Sequence, residues 1–471
     1  MDMNIGIEFR DYTLLKNFKY DDERVSTVTS REQQKTENSI EKCFDRYQQL
    51  KFLDPKIAKF HREEHQRFLE SMLHRLPGNY ECLDSSRPWC IYWILQAGHV
   101  LNFTFASQTL EAVVQFLTKC RHPEGGFAGG PDQYPHLAPT YAAVNSLAMI
   151  GTPSAYRAIN RDSLERFLFK VREPDGAFRM HVDGEIDIRG AYCAVSVAML
   201  TNMPEQTLKR LFDKTGDWIA TCQTYEGGFS GTPDLEAHGG YTFCGIAALA
   251  LLNEGYKCDQ QQLLVRKWIH RNNTHNQIFS LLHWKKWTLQ RQMSYEGGFQ
   301  GRTNKLVDGC YSFWVGATIP ITQAIISNQN NHKLVKTLFD VGALQEYILL
   351  CCQKPNGGLI DKPGKPQDLY HTCYTLTGVA IAQHAESTLH PSVLGDPINE
   401  LLPTHPLFNV PPQAVVQTSH YYEQLNQLYA ANIKGNNISS ENVSDNEDKE
   451  EAQAMTVEDE TNPSSVSSDN S

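Results

Sequence analysis

The chain has 471 residues, of which 41% are hydrophobic and 21% are charged, as in globular proteins with a large core. Its formal net charge of −11 is concentrated at the carboxyl end, because residues 436–471 contain ten acidic side chains and one lysine. The remainder of the chain is nearly neutral, which excludes the broad basic surface expected of a nucleic-acid-binding protein.

The first residues, MDMNIGIEFRDYTLLK, contain no basic stretch followed by an apolar run, and no later segment is apolar enough to span a bilayer. Without a secretory signal, the twelve cysteines predict reduced thiols and a cytoplasmic protein, not a disulfide framework. Residues 436–471 are poor in large apolar side chains, and we predict a disordered acidic tail there.

Residues 1–80 contain amphipathic patterns such as FLESMLHRL and predict a helical N-terminal extension. After them a glycine motif recurs at intervals of 51, 51, 70 and 60 residues. The motifs PEGGFAGG, PDGAF, YEGGFSG, YEGGFQG and PNGGLID have their first polar residue at Glu124, Asp175, Glu226, Glu296 and Asn356.

A helical pattern precedes each motif, and another, such as YAAVNSLAMIG or YTFCGIAALALL, follows it. Two helices joined by a glycine turn form a hairpin, and repeated hairpins form an array. The second helix is nearly free of charge, so it has to be buried on every side. Residues 81–425 therefore predict an all-α fold: an α-α barrel, or toroid, with inner helices around a central cavity.

The repeats place polar residues at equivalent positions. Twelve residues after the motif starts stand His136, Asp187, His238, Asp308 and Asp368. Fifteen residues after the motif starts stand Pro139, Gly190, Tyr241, Tyr311 and His371. In a closed ring, equivalent positions face the same end, so Asp308, Cys310 and His371 should converge at one rim.

The stretch Asp308-Gly309-Cys310 allows two interpretations. Asp308 can cap a helix while Cys310 is a buried structural thiol. Alternatively, both can bind one metal ion. Residues two apart do not lie on the same face of a helix, so this would require a position at a helix start or in a turn. One Asp, one Cys and one His would leave a fourth zinc position open, as in catalytic zinc sites.

Two further patterns also have alternative interpretations. Arg302, Lys305, His238 and Tyr311 would suit a diphosphate, although two cations in a loop also occur on solvated edges. Aromatic residues on successive inner helices are typical of a core or of an apolar ligand slot. They are Tyr141, Tyr192, Tyr241 and Trp314, and Trp89 and Trp93, four apart on one face of an earlier helix, would join the same wall.

The longest motifs are GGPDQYPHLAPTYAAVN, EAHGGYTFCGIAALA, EGGFQGRTNKLVDGCYSFW and LIDKPGKPQDLYHTCYTL. On them the chain resembles the β subunits of protein prenyltransferases, those of the farnesyl type above all, from Ser86 to about Tyr422. The resemblance implies transfer of a farnesyl group from farnesyl diphosphate to the cysteine of CaaX-terminated proteins such as small GTPases. It also implies a heterodimer with a helical-repeat α subunit, which supplies a further lysine to the diphosphate.

The resemblance implies roles for individual residues. Asp308, Cys310 and His371 would bind zinc, and Asp361 matches the position proposed for magnesium beside the diphosphate. The diphosphate would be held, and its departure assisted, by His238, Arg302, Lys305 and Tyr311. The peptide's aliphatic residues would contact Trp89, Trp93 and Tyr370. The isoprenoid would contact Arg189, Tyr192, Tyr241, Cys244 and Trp314, with Trp89 and Tyr374 closing the slot.

An insertion near residues 272–290 departs from the repeat spacing and contains Trp284 and Trp287, which are unusual in a solvent loop. Three alternatives stand beside the farnesyl interpretation. A geranylgeranyltransferase β subunit shares the zinc residues and the barrel, and a terpene cyclase shares the toroid but carries a D-x-D-D motif that is absent here. A non-catalytic binding toroid would have lost the zinc ligands.

Overall fold

The computed structural model describes residues 7–21, 25–54, 56–263, 287–330, 337–387 and 389–428. The chain divides into two units, Met1–Thr418 and Ser419–Ser471. Of the second unit, residues 419–428 are described and are helical. The predicted tail at 436–471 and most of the insertion near 272–290 lie outside the described residues.

The described part of the chain is helical, with isolated β-bridges at the turns and no strand. None of its helices combines the length and the apolar character needed to cross a bilayer. In chain order the helices are α1 Tyr12–Leu15, α2 Val28–Leu50, α3 Arg62–His74, α4 Arg87–Val100, α5 Ser107–Cys120, α6 Leu137–Ile150, α7 Pro153–Ala158, α8 Arg161–Lys170, α9 Ile188–Leu200, α10 Glu205–Leu211, α11 Thr215–Thr221, α12 Gly239–Leu251, α13 Gln260–Leu263, α14 Tyr311–Asn330, α15 Val341–Tyr347 and α16 Leu369–His384.

Helices α4, α6, α9, α12, α14 and α16 form a closed inner ring. Each packs against the next, and α16 packs back against α4. Their burial explains the charge-free sequences: all of residues 137–148 in α6 are buried except Ala138. The predicted α-α barrel is confirmed, and α4, which precedes the first glycine motif, contributes a sixth inner helix.

Glycines in the motifs let a turn approach a neighbouring outer helix closely. Gly125 has a φ of +107°, and a Cβ there would lie 1.7 Å from the carbonyl oxygen of Ser163 in α8. Gly357 in the last motif has a φ of +90°, and its Cβ would lie 2.2 Å from the carbonyl oxygen of Glu64 in α3. Because α3 also packs on α4, this contact joins the last hairpin to the first.

The polar residues twelve positions after the motif starts lie where the inner helices begin. His136 and His238 each accept a backbone N–H through Nδ1, at 3.0 Å. Asp187, Asp308 and Asp368 accept one through a carboxylate oxygen, at 2.8, 2.9 and 2.7 Å. Each satisfies a backbone donor that the first helical turn leaves without a partner.

The N-terminal segment docks on the ring through buried polar groups. Arg10 pairs with the fully buried Glu346 at 3.0 Å. Gln33 of α2 donates to Glu37 at 2.9 Å and to Glu296 at 2.7 Å. Glu296 is 1% exposed. Burial raises its pKa to about 7; Glu37 adds to this rise, while Gln33 and Arg10 oppose it.

This raised pKa predicts a pH-dependent stability. Folding favours protonated Glu296, so its contribution is full below about pH 4.5 and is lost as the pH rises through 7. We therefore compare the change that Glu296→Gln causes in the free energy of unfolding at two pH values. We expect this change to be more favourable at pH 8 than at pH 5, by on the order of 2–3 kcal/mol. Denaturant titration of the purified protein at both pH values measures this difference.

Glu124→Gln is the matched control, because Glu124 begins the first glycine motif but is exposed and pairs with Lys170 on the surface. Its effect should be small at both pH values. An equal effect of Glu296→Gln at pH 5 and pH 8 would contradict the assignment of a buried, titrating carboxyl group.

Candidate active site

Asp308, Cys310 and His371 converge at one rim of the ring. One ligand atom from each lies within 4.8 Å of the other two. Within the part of the chain that the structure describes, no other group of three such side chains is arranged to hold a metal ion. Asp308 and Cys310 precede the first residue of α14, and His371 lies in the first turn of the neighbouring α16. The starts of two adjacent inner helices therefore bring the three side chains together.

Asp368 orients His371. Its Oδ2 lies 2.6 Å from His371 Nδ1, and its Oδ1 accepts the backbone N–H of His371 at 2.7 Å. Nε2 of His371 then faces Asp308, 3.3 Å from its Oδ1. Burial lowers the pKa of His371, but the two carboxylates outweigh it and raise the pKa to about 9.

Cys310 is 3% exposed, and burial together with Asp308 raises the pKa of its thiol well above the usual value. In contrast, the contact with His371 lowers the pKa of Asp308 in spite of its burial. The cluster thus favours positive charge between its donors, supplied by a proton on His371 or by a cation. One sulfur, one imidazole nitrogen and one carboxylate form a donor set that suits zinc.

A cavity of about 500 Å³ lies inside the ring. Eleven of the thirteen residues that the sequence analysis assigned to substrates line it: Trp89, Trp93, Arg189, Tyr192, His238, Tyr241, Cys244, Tyr311, Trp314, Tyr370 and Tyr374. Arg302 and Lys305 do not. Two lining residues, Tyr311 and Tyr370, directly follow or precede a residue of the metal cluster in the chain, so the cluster and the cavity share a rim.

The cavity wall is a continuous aromatic layer. The ring centroids of Trp89 and Trp93 are 5.7 Å apart, and those of Trp314 and Tyr374 are 4.3 Å apart. Trp314 Nε1 donates to the Tyr370 hydroxyl at 3.0 Å. These contacts restrict the rotamers of the rings, and the wall therefore has a defined shape.

His238 and Tyr311 form a hydrogen-bonded pair at the rim. Because the N–H of Gly240 donates to Nδ1 of His238, the proton of the neutral ring sits on Nε2. Nε2 lies 3.1 Å from the Tyr311 hydroxyl, to which it can donate. Burial, aided by Arg302, lowers the pKa of His238 to about 4, so the ring is neutral at physiological pH.

Three charged residues near this rim, Arg302, Asp361 and Arg189, pair with another residue of the chain. Arg302 Nη1 lies 2.7 Å from Glu236 Oε2, while Lys305 is exposed. Asp361 Oδ2 pairs with Lys362 at 2.7 Å, and its buried Oδ1 has no hydrogen-bond partner. Arg189 pairs with Asp187 at 2.5 Å beside the cavity.

Some lining residues were not anticipated from the sequence: Leu83, Ser86, Ala138, Met180, Cys193 and Gly240. Small and aliphatic residues carry no chemical signal, so a pattern search passes over them. Asp368 differs from these residues, because the repeat spacing predicts its position at a helix start, whereas its contact with His371 depends on the orientation of both side chains.

Comparison with known proteins gives a consistent result. Residues 60–410 match the family described as the prenyltransferase alpha-alpha toroid domain. The protein farnesyltransferase subunit beta of Pisum sativum is 38% identical over 72% of this chain and 90% of its own length. That of Arabidopsis thaliana is 36% identical over 82% of this chain and 87% of its own length.

Among solved structures, Candida albicans protein geranylgeranyltransferase-I complexed with GGPP aligns with a TM-score of 0.59 at 22% identity. The alignment covers 76% of this chain and 98% of that chain. This likeness concerns the fold, whereas the sequence relatives above share more than a third of their aligned residues. The chain therefore belongs to the family of protein farnesyltransferase β subunits.

Proposed function

We propose that the chain is the catalytic β subunit of a protein farnesyltransferase, which transfers the farnesyl group of farnesyl diphosphate to the cysteine of C-terminal CaaX motifs. The observation that carries this proposal is the shared rim of the Asp308–Cys310–His371 cluster and the aromatic cavity. A peptide thiol at the cluster and a lipid in the cavity would meet there. The new bond joins the peptide sulfur to C1 of the isoprenoid, while the C1–oxygen bond breaks and diphosphate leaves.

We propose that Asp308, Cys310 and His371 hold zinc, with Asp368 orienting His371 from behind as carboxylates commonly do for metal-bound histidines. Zinc there would deprotonate the peptide's thiol and keep the thiolate nucleophilic at neutral pH. The thiol of Cys310 is a ligand in this scheme and not the nucleophile. Displacement of the proton from His371, whose pKa is about 9 without metal, makes metal binding weaker at low pH.

His238 and Tyr311 would stabilise the departing diphosphate as hydrogen-bond donors. Nε2–H of His238 donates to the Tyr311 oxygen, and the hydroxyl proton of Tyr311 is then available to a phosphate oxygen. The negative charge that develops on the bridging oxygen strengthens this bond in the transition state, and such a gain accelerates the reaction.

Arg302 and Lys305 would supply positive charge. Arg302 would exchange Glu236 for a phosphate oxygen, and both partners are partly exposed, so the exchange costs little. Asp361 would contact magnesium bound to the diphosphate, because its buried Oδ1 has no hydrogen-bond partner. Lys362, paired with its other oxygen, would compete with that cation.

Trp89, Trp93 and Tyr370 would contact the aliphatic residues of the peptide, and Arg189, Tyr192, Tyr241, Cys244 and Trp314 the isoprenoid. The protein would act as a heterodimer with a farnesyltransferase α subunit. All twelve cysteines are free thiols, nearly all of them buried, which suits the reducing cytoplasm. A geranylgeranyltransferase β subunit is the second candidate, since it would use the same metal residues and fold.

The first test of this function is metal content. We expect the purified heterodimer to contain about one zinc per β chain. Cys310→Ala and His371→Ala should lose zinc and prenyl transfer together, because each removes one of three protein ligands. Farnesyl diphosphate should still bind, since the cavity is intact. Elemental analysis, a transfer assay and a lipid-binding assay measure these three properties.

Cys373→Ala is the matched control, because Cys373 is a buried thiol in the same helix as His371 but belongs neither to the cluster nor to the cavity wall. It should retain zinc. If Cys310→Ala and His371→Ala also retain a full complement of zinc, the metal assignment is wrong.

The second test concerns the length of the isoprenoid. Trp89 and Tyr374 line the cavity, and an indole ring occupies volume that a fourth isoprene unit would need. Forcing extra methylenes into a filled site costs about 1–3 kcal/mol, roughly tenfold or more in rate. Trp89→Thr, with or without Tyr374→Phe, should therefore increase kcat/KM for the twenty-carbon donor relative to the fifteen-carbon donor by about tenfold or more.

Trp218→Phe, in the outer helix α11, serves as control and should leave that ratio unchanged. A wild-type protein that prefers the twenty-carbon donor would favour the geranylgeranyl candidate instead. A wild-type preference for fifteen carbons that Trp89→Thr does not alter would disprove the steric limit, but not the enzyme assignment.

A further inference from the structure

Residues 401–410 close the end of the ring opposite the metal cluster, and we name them the plug. The N–H of Leu402 donates to Val100 at the end of α4, and His384 at the end of α16 contacts the carbonyl of Leu401 at 2.8 Å. The metal cluster, in contrast, lies at the starts of α14 and α16. The plug and the cluster therefore occupy opposite ends of the inner helices.

Three tyrosines hold the tip of the plug. The hydroxyls of Tyr92, Tyr141 and Tyr192, from the consecutive inner helices α4, α6 and α9, donate to three consecutive backbone carbonyls. The acceptors are Asn409 at 2.8 Å, Phe408 at 2.8 Å and Leu407 at 2.9 Å. All three tyrosines are at most 3% exposed, so water cannot replace a lost bond easily.

Side-chain hydrogen bonds also stabilise the plug. Gln96 Nε2 donates to Thr404 Oγ1 at 2.8 Å, and Thr404 Oγ1 donates to Asn409 Oδ1 at 3.0 Å. The backbone of Asn409 has a φ of +53°, a left-handed conformation that asparagine tolerates better than most residues. The tip thus depends on a few specific polar groups within an otherwise apolar environment.

The tyrosine rings connect the plug to the cavity. Tyr141 and Tyr192 line the cavity with their rings while their hydroxyls bind the plug. Tyr92 does not line it, but its ring lies 5.7 Å from Trp89 and 5.8 Å from Tyr141. The plug therefore fixes the hydroxyl ends of Tyr141 and Tyr192, whose rings form part of the cavity wall.

We propose that the plug sets the depth of the isoprenoid slot, with Tyr92 and Thr404 as positioning residues that limit isoprenoid length without touching the lipid. This inference rests on the proposed function. A plug held at one position along the axis of the ring keeps the rings of Tyr141 and Tyr192 fixed. A more mobile plug would let these rings move apart to accommodate a longer isoprenoid.

The experiment uses the αβ heterodimer carrying Tyr92→Phe, Thr404→Val or both. It measures dissociation constants of fifteen- and twenty-carbon isoprenoid diphosphates, kcat/KM with each donor, and hydrogen exchange of residues 401–410. We expect faster exchange in the plug and unchanged fifteen-carbon transfer. The ratio of the two dissociation constants and the ratio of the two kcat/KM values should both shift in favour of the twenty-carbon donor, by about fivefold per lost hydrogen bond.

Tyr156→Phe is the control, because it removes a hydroxyl from a buried tyrosine in the outer helix α7 and should change neither exchange nor ratios. Faster exchange in the plug with unchanged binding ratios would overturn the proposal, as would unchanged exchange in the double variant. Absence of farnesyl transfer by the wild type would refute the proposed function alone, since the binding ratio and the exchange rates still decide the role of the plug.

Discussion

Closure of the inner ring is the constraint on which the rest of this structure depends. Helices such as α6 and α12 have no polar face, and one hairpin cannot bury them. Burial is complete only when α16 packs against α4 and when the turn at Gly357 packs on α3. The cavity follows from the same closure, because six helices around an axis leave a space that their aromatic side chains fill only partly.

The polar residues of the site arise from a structural requirement that recurs around the ring, namely an acceptor for backbone N–H groups where an inner helix begins. The first turn of a helix has backbone donors without intrahelical partners, and a His or Asp side chain accepts one of them at the starts of α6, α9, α12, α14 and α16. Since all these caps lie at one rim, titratable side chains are concentrated there. Asp308 and Asp368 belong both to the caps and to the site: each caps a helix, and each also contacts the imidazole of His371.

Sequence periodicity was sufficient to predict the barrel, the burial of the inner helices and the convergence of Asp308, Cys310 and His371, because these follow from register. It was not sufficient for contacts that depend on how individual side chains are oriented and packed. The pairing of Arg302 with Glu236, the orientation of His371 by Asp368 and the burial of Glu296 under α2 all depend on side-chain packing. The sixth inner helix, α4, was not counted because no glycine motif precedes it.

The electrostatic state of the rim links the two substrates of the proposed reaction. The buried thiol of Cys310 and the neutral ring of His238 both avoid charge in the isolated chain, while Arg302 is compensated by Glu236. A cation at the cluster would favour the thiolate of Cys310, and a diphosphate beside His238 would draw Arg302 from Glu236. The cation and the diphosphate would each replace an interaction that the protein makes within itself. Positive charge at the cluster and negative charge beside His238 would then lie at the same rim, where the proposed reaction can use both.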